Sequence, residues 1–124
     1  MRSAILVIAH GSRRAEANRD LVEIAAAIAS RRPDDVVEIA YLELAEPDIP
    51  TGARRCVERG ATEVRMLPYF LSSGAHVQED LTRCRDEFTA AYPGVTFLCC
   101  PPLGLHPGIV DVLLERLESP LAGK

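Results

Sequence analysis

The sequence predicts an α/β fold built on a four-stranded parallel sheet with helices on both faces. Two observations carry that expectation. Four short apolar runs recur along the chain, each followed by a segment whose apolar residues fall at helical spacing. The segments between them are marked by Gly, Pro, Asp and Ser, the usual punctuation of turns. Strands separated by helices must pair in parallel through right-handed crossovers, which lays the helices on the sheet faces. A length of 124 residues suits one core, so residues 1–118 read as a single domain and 119–124 as a frayed tail.

The first run, Ala4 to Ala9, stops at His10, turns on Gly11 and opens a helix. Ser12 is placed to cap that helix, which runs to about Arg31 with Leu21, Ile24, Ala25 and Ile28 on one face. Pro33-Asp34-Asp35 ends it, and Val36 to Tyr41 forms the second strand. A helix from about Asp48 or Ile49 to Arg59 follows; Pro50 fits its first turn and Gly60 stops it. The third strand covers about Glu63 to Pro68 and opens into the longest loop. A helix from roughly His76 to Tyr92, a strand from Val95 to Cys100, a Pro- and Gly-rich turn and a last helix from Ile109 to Leu117 complete four βα units.

Composition narrows the function classes. A formal net charge of −4 argues against a nucleic-acid partner, since phosphate binding relies on a basic surface that releases counterions. No apolar run approaches the roughly 20 residues that span a bilayer, and no secretory pattern is visible, so the cytoplasm is the expected compartment. Cys56, Cys84, Cys99 and Cys100 lack any C-x-x-C spacing and read as reduced thiols rather than as zinc, iron–sulfur or disulfide positions.

In an open α/β sheet, ligands bind outside the carboxyl ends of the strands. His10, Glu43, His76 and His106 each follow a different strand and so fall on that rim. Gly11 and Gly74, beside two of the histidines, read as positions where a ligand can approach the backbone closely. Neutral imidazole ligates divalent metals or accepts a proton, and Glu43 offers a second proton acceptor. His106, between Leu105 and Pro107, reads as a structural turn residue. The first strand of such sheets commonly lies between the second and third, which makes the His10 and His76 loops neighbours whose imidazoles face one space.

These residues also fall into a known pattern. The strand ending in His10-Gly11-Ser12-Arg13 with Asn18 beyond it, Leu42-Glu43 with Ala45 and Pro47, Pro68-Tyr69-Phe70-Leu71 leading to Gly74, His76, Val77 and Asp80, and Leu103-Gly104 with His106-Pro107 together resemble the short sirohydrochlorin chelatases. The match runs over nearly the whole chain. It implies a single-lobe, chelatase-like (flavodoxin-like) three-layer αβα fold and the insertion of a divalent metal, cobalt or iron and in some members nickel, into sirohydrochlorin on the way to cobalamin, sirohaem or a nickel tetrapyrrole. It implies catalytic roles for His10, His76 and Glu43, with the two histidines as metal ligands. The metal is then substrate, and no tightly bound cofactor is expected.

The chemistry suits the residues. Metal insertion removes two pyrrole N–H protons and the metal's water ligands, which calls for neutral imidazole and a carboxylate. A flat apolar ring edged with carboxylates suits Tyr69, Phe70 and Leu71 beneath it, with Gly11, Ser12, Arg13, Ser72 and Gly74 around its edge. A cleft with two walls makes a homodimer the expected assembly, because longer members of the resembled family carry two such lobes in one chain. Two other readings use the same residues. A metal or tetrapyrrole carrier would bind without turnover. A phosphoryl-transfer enzyme working through a histidine would place an arginine directly before His-Gly, where this chain has Ala9.

Overall fold

The computed structural model describes residues 2–72 and 74–122. Its elements alternate as β1 (Ser3–Ala9), α1 (Ala15–Arg31), β2 (Val36–Tyr41), α2 (Ile49–Glu58), β3 (Glu63–Pro68), α3 (Ala75–Ala91), β4 (Thr96–Cys99) and α4 (Pro107–Leu117). The sheet order is β2-β1-β3-β4 with every pair parallel, so β1 is central and its carboxyl end has β2 and β3 as neighbours. Ala9 pairs with Tyr41 and Ile8 with Pro68, which brings the segments after these three strands out at one level.

The period-2 alternation of β1 divides its side chains between two cores. Ala4, Leu6 and Ile8 point to the side covered by α2 and α3, joining Ala53, Cys56, Leu81, Phe88 and Phe97. Val7 points to the other side, against Leu21 and Ala25 of α1 and Tyr41 of β2. Gly52 lets α2 sit close on the first face, since a Cβ there would lie 2.7 Å from Leu6 Cδ1 and 3.1 Å from Ala40 Cβ. Asp48 caps α2, its Oδ1 accepting the Thr51 N–H at 3.0 Å, and hydrogen bonding from Thr51, first its side chain and then its N–H, holds the carboxyl below its ordinary range.

Two helix starts differ from expectation. Helix α1 begins at Ala15, three residues after Ser12, and its N-cap Arg14 supplies no side-chain cap. Gly11, at φ +95°, turns the chain so that the Ser12 hydroxyl accepts the Arg14 N–H at 3.0 Å instead of serving the first helical turn. Helix α4 begins at Pro107 rather than Ile109 because His106 is its N-cap, with Nδ1 accepting the Gly108 N–H at 2.9 Å.

The three layers are also incomplete within one chain. Helix α1 covers β1 and β2, but no helix among the described residues covers the same face of β3 and β4, where Leu98 remains 40% exposed. No residue of α4 is buried, and Val110, Val112, Leu113, Leu114 and Leu117 are 49–71% exposed. The segment after β4 is the reason. Leu103 N–H donates to Phe70 O at 3.0 Å and Gly104 N–H to Leu71 O at 2.6 Å, which ties the connection to the rim of β3 before α4 starts. Beside it a trough of about 250 Å³ lies between α1 and the end of β3, lined by Val7, Ile24, Ile28, Leu67, Pro102 and Leu103.

Candidate functional site

The site is assembled at the carboxyl ends of β1, β2 and β3 by continuing the parallel ladder past the strands. Three successive carbonyls of β1 and its extension are taken up in turn. Ile8 O accepts from Tyr69 N–H at 2.6 Å, Ala9 O from Leu42 N–H at 3.0 Å, and His10 O from Glu43 N–H at 3.0 Å. Backbone groups near a sheet edge need partners, and here the partners come from both flanking loops. His10 is thereby fixed in the main chain while its side chain stays exposed.

Gly11 makes that arrangement possible. A Cβ on it would lie 1.8 Å from Glu43 O, and its φ of +95° is one that residues with a side chain rarely adopt. The freedom of this glycine therefore serves the approach of the Glu43 loop. Gly74, the other glycine expected to admit a ligand, has an ordinary extended backbone (φ −71°) and nothing within 4 Å of an added Cβ. It acts as the N-cap position of α3 and has no conformational requirement for glycine.

The imidazole of His10 stacks on Phe70, with centroids 4.2 Å apart and planes inclined by 26°. Phe70 is 4% exposed, so it is the backing for His10 and not a surface for a flat ligand. Successive side chains explain the difference: Phe70 turns into the core with Leu81 and Val77 of α3, while its neighbours Tyr69 and Leu71 stay 37% and 69% exposed. The ring nitrogens of His10 have no hydrogen-bond partner among the described residues, which leaves both open to a ligand.

His76 lies in the first turn of α3, exposed, and its successor Val77 packs on the core that holds Phe70. Both histidines thus belong to the α3 side of the rim. Glu43 stands on the β2 side, exposed and tied through its N–H to His10. Among the described residues no three His, Cys, Asp or Glu side chains come together as a group that could hold a metal, so His10, Glu43 and His76 share a rim without forming a closed ligand set.

The remaining expected contacts divide. Arg13 is exposed and Arg14 is paired with Glu16 at 2.8 Å. Ser72 is exposed, and Ser73 lies outside the described residues, as do Gly123 and Lys124 of the expected tail. His106 caps α4, a structural role. A depression of about 250 Å³ opens beside His10, lined also by Gly11, Ser12, Asn18, Tyr41 and Tyr69.

Asn18 and Tyr41 carry structural weight that residue chemistry alone does not assign. The Asn18 carboxamide accepts Ser12 N–H at 2.9 Å and donates to Ser12 O at 2.8 Å, and Tyr41 Oη donates to Asn18 O at 2.8 Å. Burial pushes the Tyr41 phenol above its ordinary pKa, which keeps it a donor. A polar residue in an early helical turn looks like solvated surface from its chemistry, and only its place in the motif that begins at His10-Gly11-Ser12-Arg13 singles it out.

Comparison with known proteins agrees with this fold. A family model described as CbiX matches residues 4–119. A chloroplastic sirohydrochlorin ferrochelatase of Arabidopsis thaliana is 34% identical over 118 residues, which are 95% of this chain and 52% of the plant protein. The crystal structure of the sirohydrochlorin chelatase SirB from Bacillus subtilis subspecies spizizenii in complex with cobalt superposes with a TM-score of 0.87 at 30% identity, over 95% of this chain and 50% of that one. A CbiX protein from Marinobacter aquaeolei VT8 superposes with a TM-score of 0.78 at 30% identity, over 95% and 99%. The chain thus spans about half the length of the plant and Bacillus relatives and nearly all of the Marinobacter protein.

Proposed function

The chain belongs to the CbiX family, and we propose that it inserts a divalent metal ion, cobalt or iron with nickel as a further candidate, into sirohydrochlorin. The observation that carries the reading is His10: its carbonyl is held by Glu43 N–H and the strand leading to it by both flanking loops, while its ring nitrogens have no partner among the described residues and lie above Phe70. An imidazole held this way approaches a metal ion without first losing a protein partner. The reaction exchanges two pyrrole N–H protons for the metal, so each turnover releases two protons and the metal's water ligands. His10 and His76 are the proposed metal ligands on the α3 side, and Glu43 accepts a proton from the ring on the β2 side.

The depression beside His10 is smaller than the roughly 300–1,000 Å³ of an enclosing ligand pocket. A tetrapyrrole therefore lies across the open rim, with Tyr69 and Leu71 as its apolar floor and Gly11, Ser12, Arg13, Ser72 and Gly74 at its edge. Four free cysteines fit a reducing compartment, the cytoplasm. No helix among the described residues is long and apolar enough to cross a membrane.

The same reading treats residues 1–118 as one domain that is completed in a two-fold homodimer. Helix α4 presents Ile109, Val110, Leu113, Leu114 and Leu117 as one stripe, and the trough between α1 and the end of β3 is apolar, uncovered and of the same chain. Asp111 and Glu115 lie on the opposite side of α4 from that stripe, while Arg32 and Arg65 line a neighbouring depression that shares Leu67 with the trough. A second copy's α4 satisfies both surfaces reciprocally, as closed two-fold pairing requires.

The test is a metal panel. Purified protein with sirohydrochlorin and each of Co²⁺, Fe²⁺, Ni²⁺ and Zn²⁺ is followed through the visible absorption of the tetrapyrrole; acceleration with cobalt or iron is expected, and no acceleration with any ion refutes the reading. Binding without acceleration would identify a carrier. His10→Ala and His76→Ala should each lower turnover by about 10²-fold or more with little change in Tm. Glu43→Gln should lower kcat more than it raises KM.

A further inference from the structure

We propose that Asn18 is a positioning residue for His10, acting through a two-point clasp on the backbone of Ser12. The turn from His10 to Ser12 is held on the β2 side by Glu43 N–H on His10 O. Its other end is free of ladder bonds, because α1 does not begin until Ala15 and its N-cap provides no side chain. Asn18 fills that gap. Its Oδ1 takes the Ser12 N–H and its Nδ2 gives a proton to the Ser12 carbonyl, so one side chain satisfies both polar groups of one residue.

Only a carboxamide of this length does so. A carboxylate accepts but does not donate, and the extra methylene of glutamine moves both atoms out of register. The clasp has a support of its own, since Tyr41 at the end of β2 donates to the Asn18 carbonyl at 2.8 Å. The turn is therefore connected to β2 twice, through Glu43 on one side and through Asn18 and Tyr41 on the other. Loss of either connection frees the turn to pivot about the other, and the imidazole then leaves its seat on Phe70. Asn18 lines the depression beside His10, which places the clasp next to the proposed reaction and within reach of its geometry.

The effect of the clasp on turnover rests on the chelatase reading, but its effect on His10 does not. The chain has three histidines, so the His10 ring protons are assigned by comparison with His10→Ala. In the wild type they should be shifted upfield by the Phe70 ring current. In Asn18→Ala, and also in Asn18→Asp, which keeps only the acceptor, that shift should fall by half or more. Ser12→Ala, which leaves the clasped backbone intact, should keep it. In the metallation assay Asn18→Ala should lower kcat by about 10²-fold, the effect of a misplacement near 1 Å, with KM changed less than threefold and Tm lowered by only a few degrees. If Asn18→Ala does not fold, Asn18→Asp gives the same two readouts. An unmoved ring shift in a folded Asn18 variant, or a loss of turnover no greater than its unfolded fraction, overturns the proposal. If the wild type fails to metallate sirohydrochlorin the chelatase reading falls, and the ring shift alone then decides the clasp.

Discussion

Replacing Gly11 by alanine is the sharpest single test of how the rim is built. The new Cβ would stand 1.8 Å from Glu43 O, and reaching the roughly 3.4 Å of van der Waals contact means a retreat of about 1.6 Å by the Glu43 backbone. The hydrogen bond from Glu43 N–H to His10 O is now 3.0 Å and does not survive that displacement. Its loss costs about 1 kcal/mol, and holding a residue with a side chain in the left-handed region costs about 1–2 kcal/mol more. The sum, about 2–3 kcal/mol, corresponds to a fall in Tm of roughly 10 °C for a chain of this size. Turnover should fall by about 10²-fold beyond what the lost stability explains, because Glu43 moves by more than 1 Å. Calorimetry and the metallation assay read the two effects separately. Gly74→Ala is the control: with an extended backbone and open space around it, it should leave Tm unchanged or raise it by a degree or two through unfolded-state entropy. If Gly11→Ala behaves like Gly74→Ala, the reasoning about the loop contact is wrong.

Other parts of the chain give equally direct expectations. Cys56 is fully buried and desolvation pushes its thiol up to about 12, so it should resist iodoacetamide at pH 8 in the native protein and react only with unfolding; mass spectrometry of the alkylated peptides reads this, and native labelling of Cys56 would contradict its burial. Asp48→Ala should lower Tm by about 4 °C, the worth of about 1 kcal/mol for an N-cap. Because the Thr51 hydrogen bond lowers the Asp48 pKa in the folded state, this contribution is present above the ordinary carboxylate range and is lost as the pH falls through the lowered value, so the difference between wild type and Asp48→Ala should shrink in acid. A Tm difference that grows on acidification would reverse that sign.

The parts of the fold that depend on local chemistry were legible in the sequence. The apolar runs marked all four strands, and the placement of β1 between β2 and β3 followed from the βα alternation, so the rim positions of His10, Glu43 and His76 were accessible without coordinates. What escaped depends on partners distant in sequence. Gly11 reads as a turn glycine, and nothing near it indicates that Glu43, over thirty residues later, occupies the space of its missing side chain. Tyr69, Phe70 and Leu71 look alike as apolar residues after a strand, and only the packing of Phe70 with α3 separates the residue that backs His10 from the two that face outward. Asn18 carries no periodic signal, and Ser12, the residue that looks like a helix cap, is the one that Asn18 holds.

Helix α4 raises a different question, because its sequence announces an apolar stripe but not what covers it. Five stripe residues, at least half-exposed in most cases, would each contribute about 1 kcal/mol on burial, giving about 5 kcal/mol per copy and about 10 kcal/mol for a reciprocal pair. Association costs an estimated 4–15 kcal/mol in lost freedom, so burial of the stripe alone leaves a homodimer near the margin. The fit of the stripe in the trough then decides whether the dimer holds, and a single polar change at its centre should be enough to lose it. Leu113, 62% exposed and flanked one turn away by Ile109 and Leu117, is that centre. Light scattering should give a dimer mass for the wild type and a monomer mass for Leu113→Glu at the same concentration, while the circular dichroism of the sheet and Tm at high dilution stay the same. A wild type that is monomeric at working concentration, or a Leu113→Glu variant that remains dimeric, would mean that α4 is not the element two copies exchange.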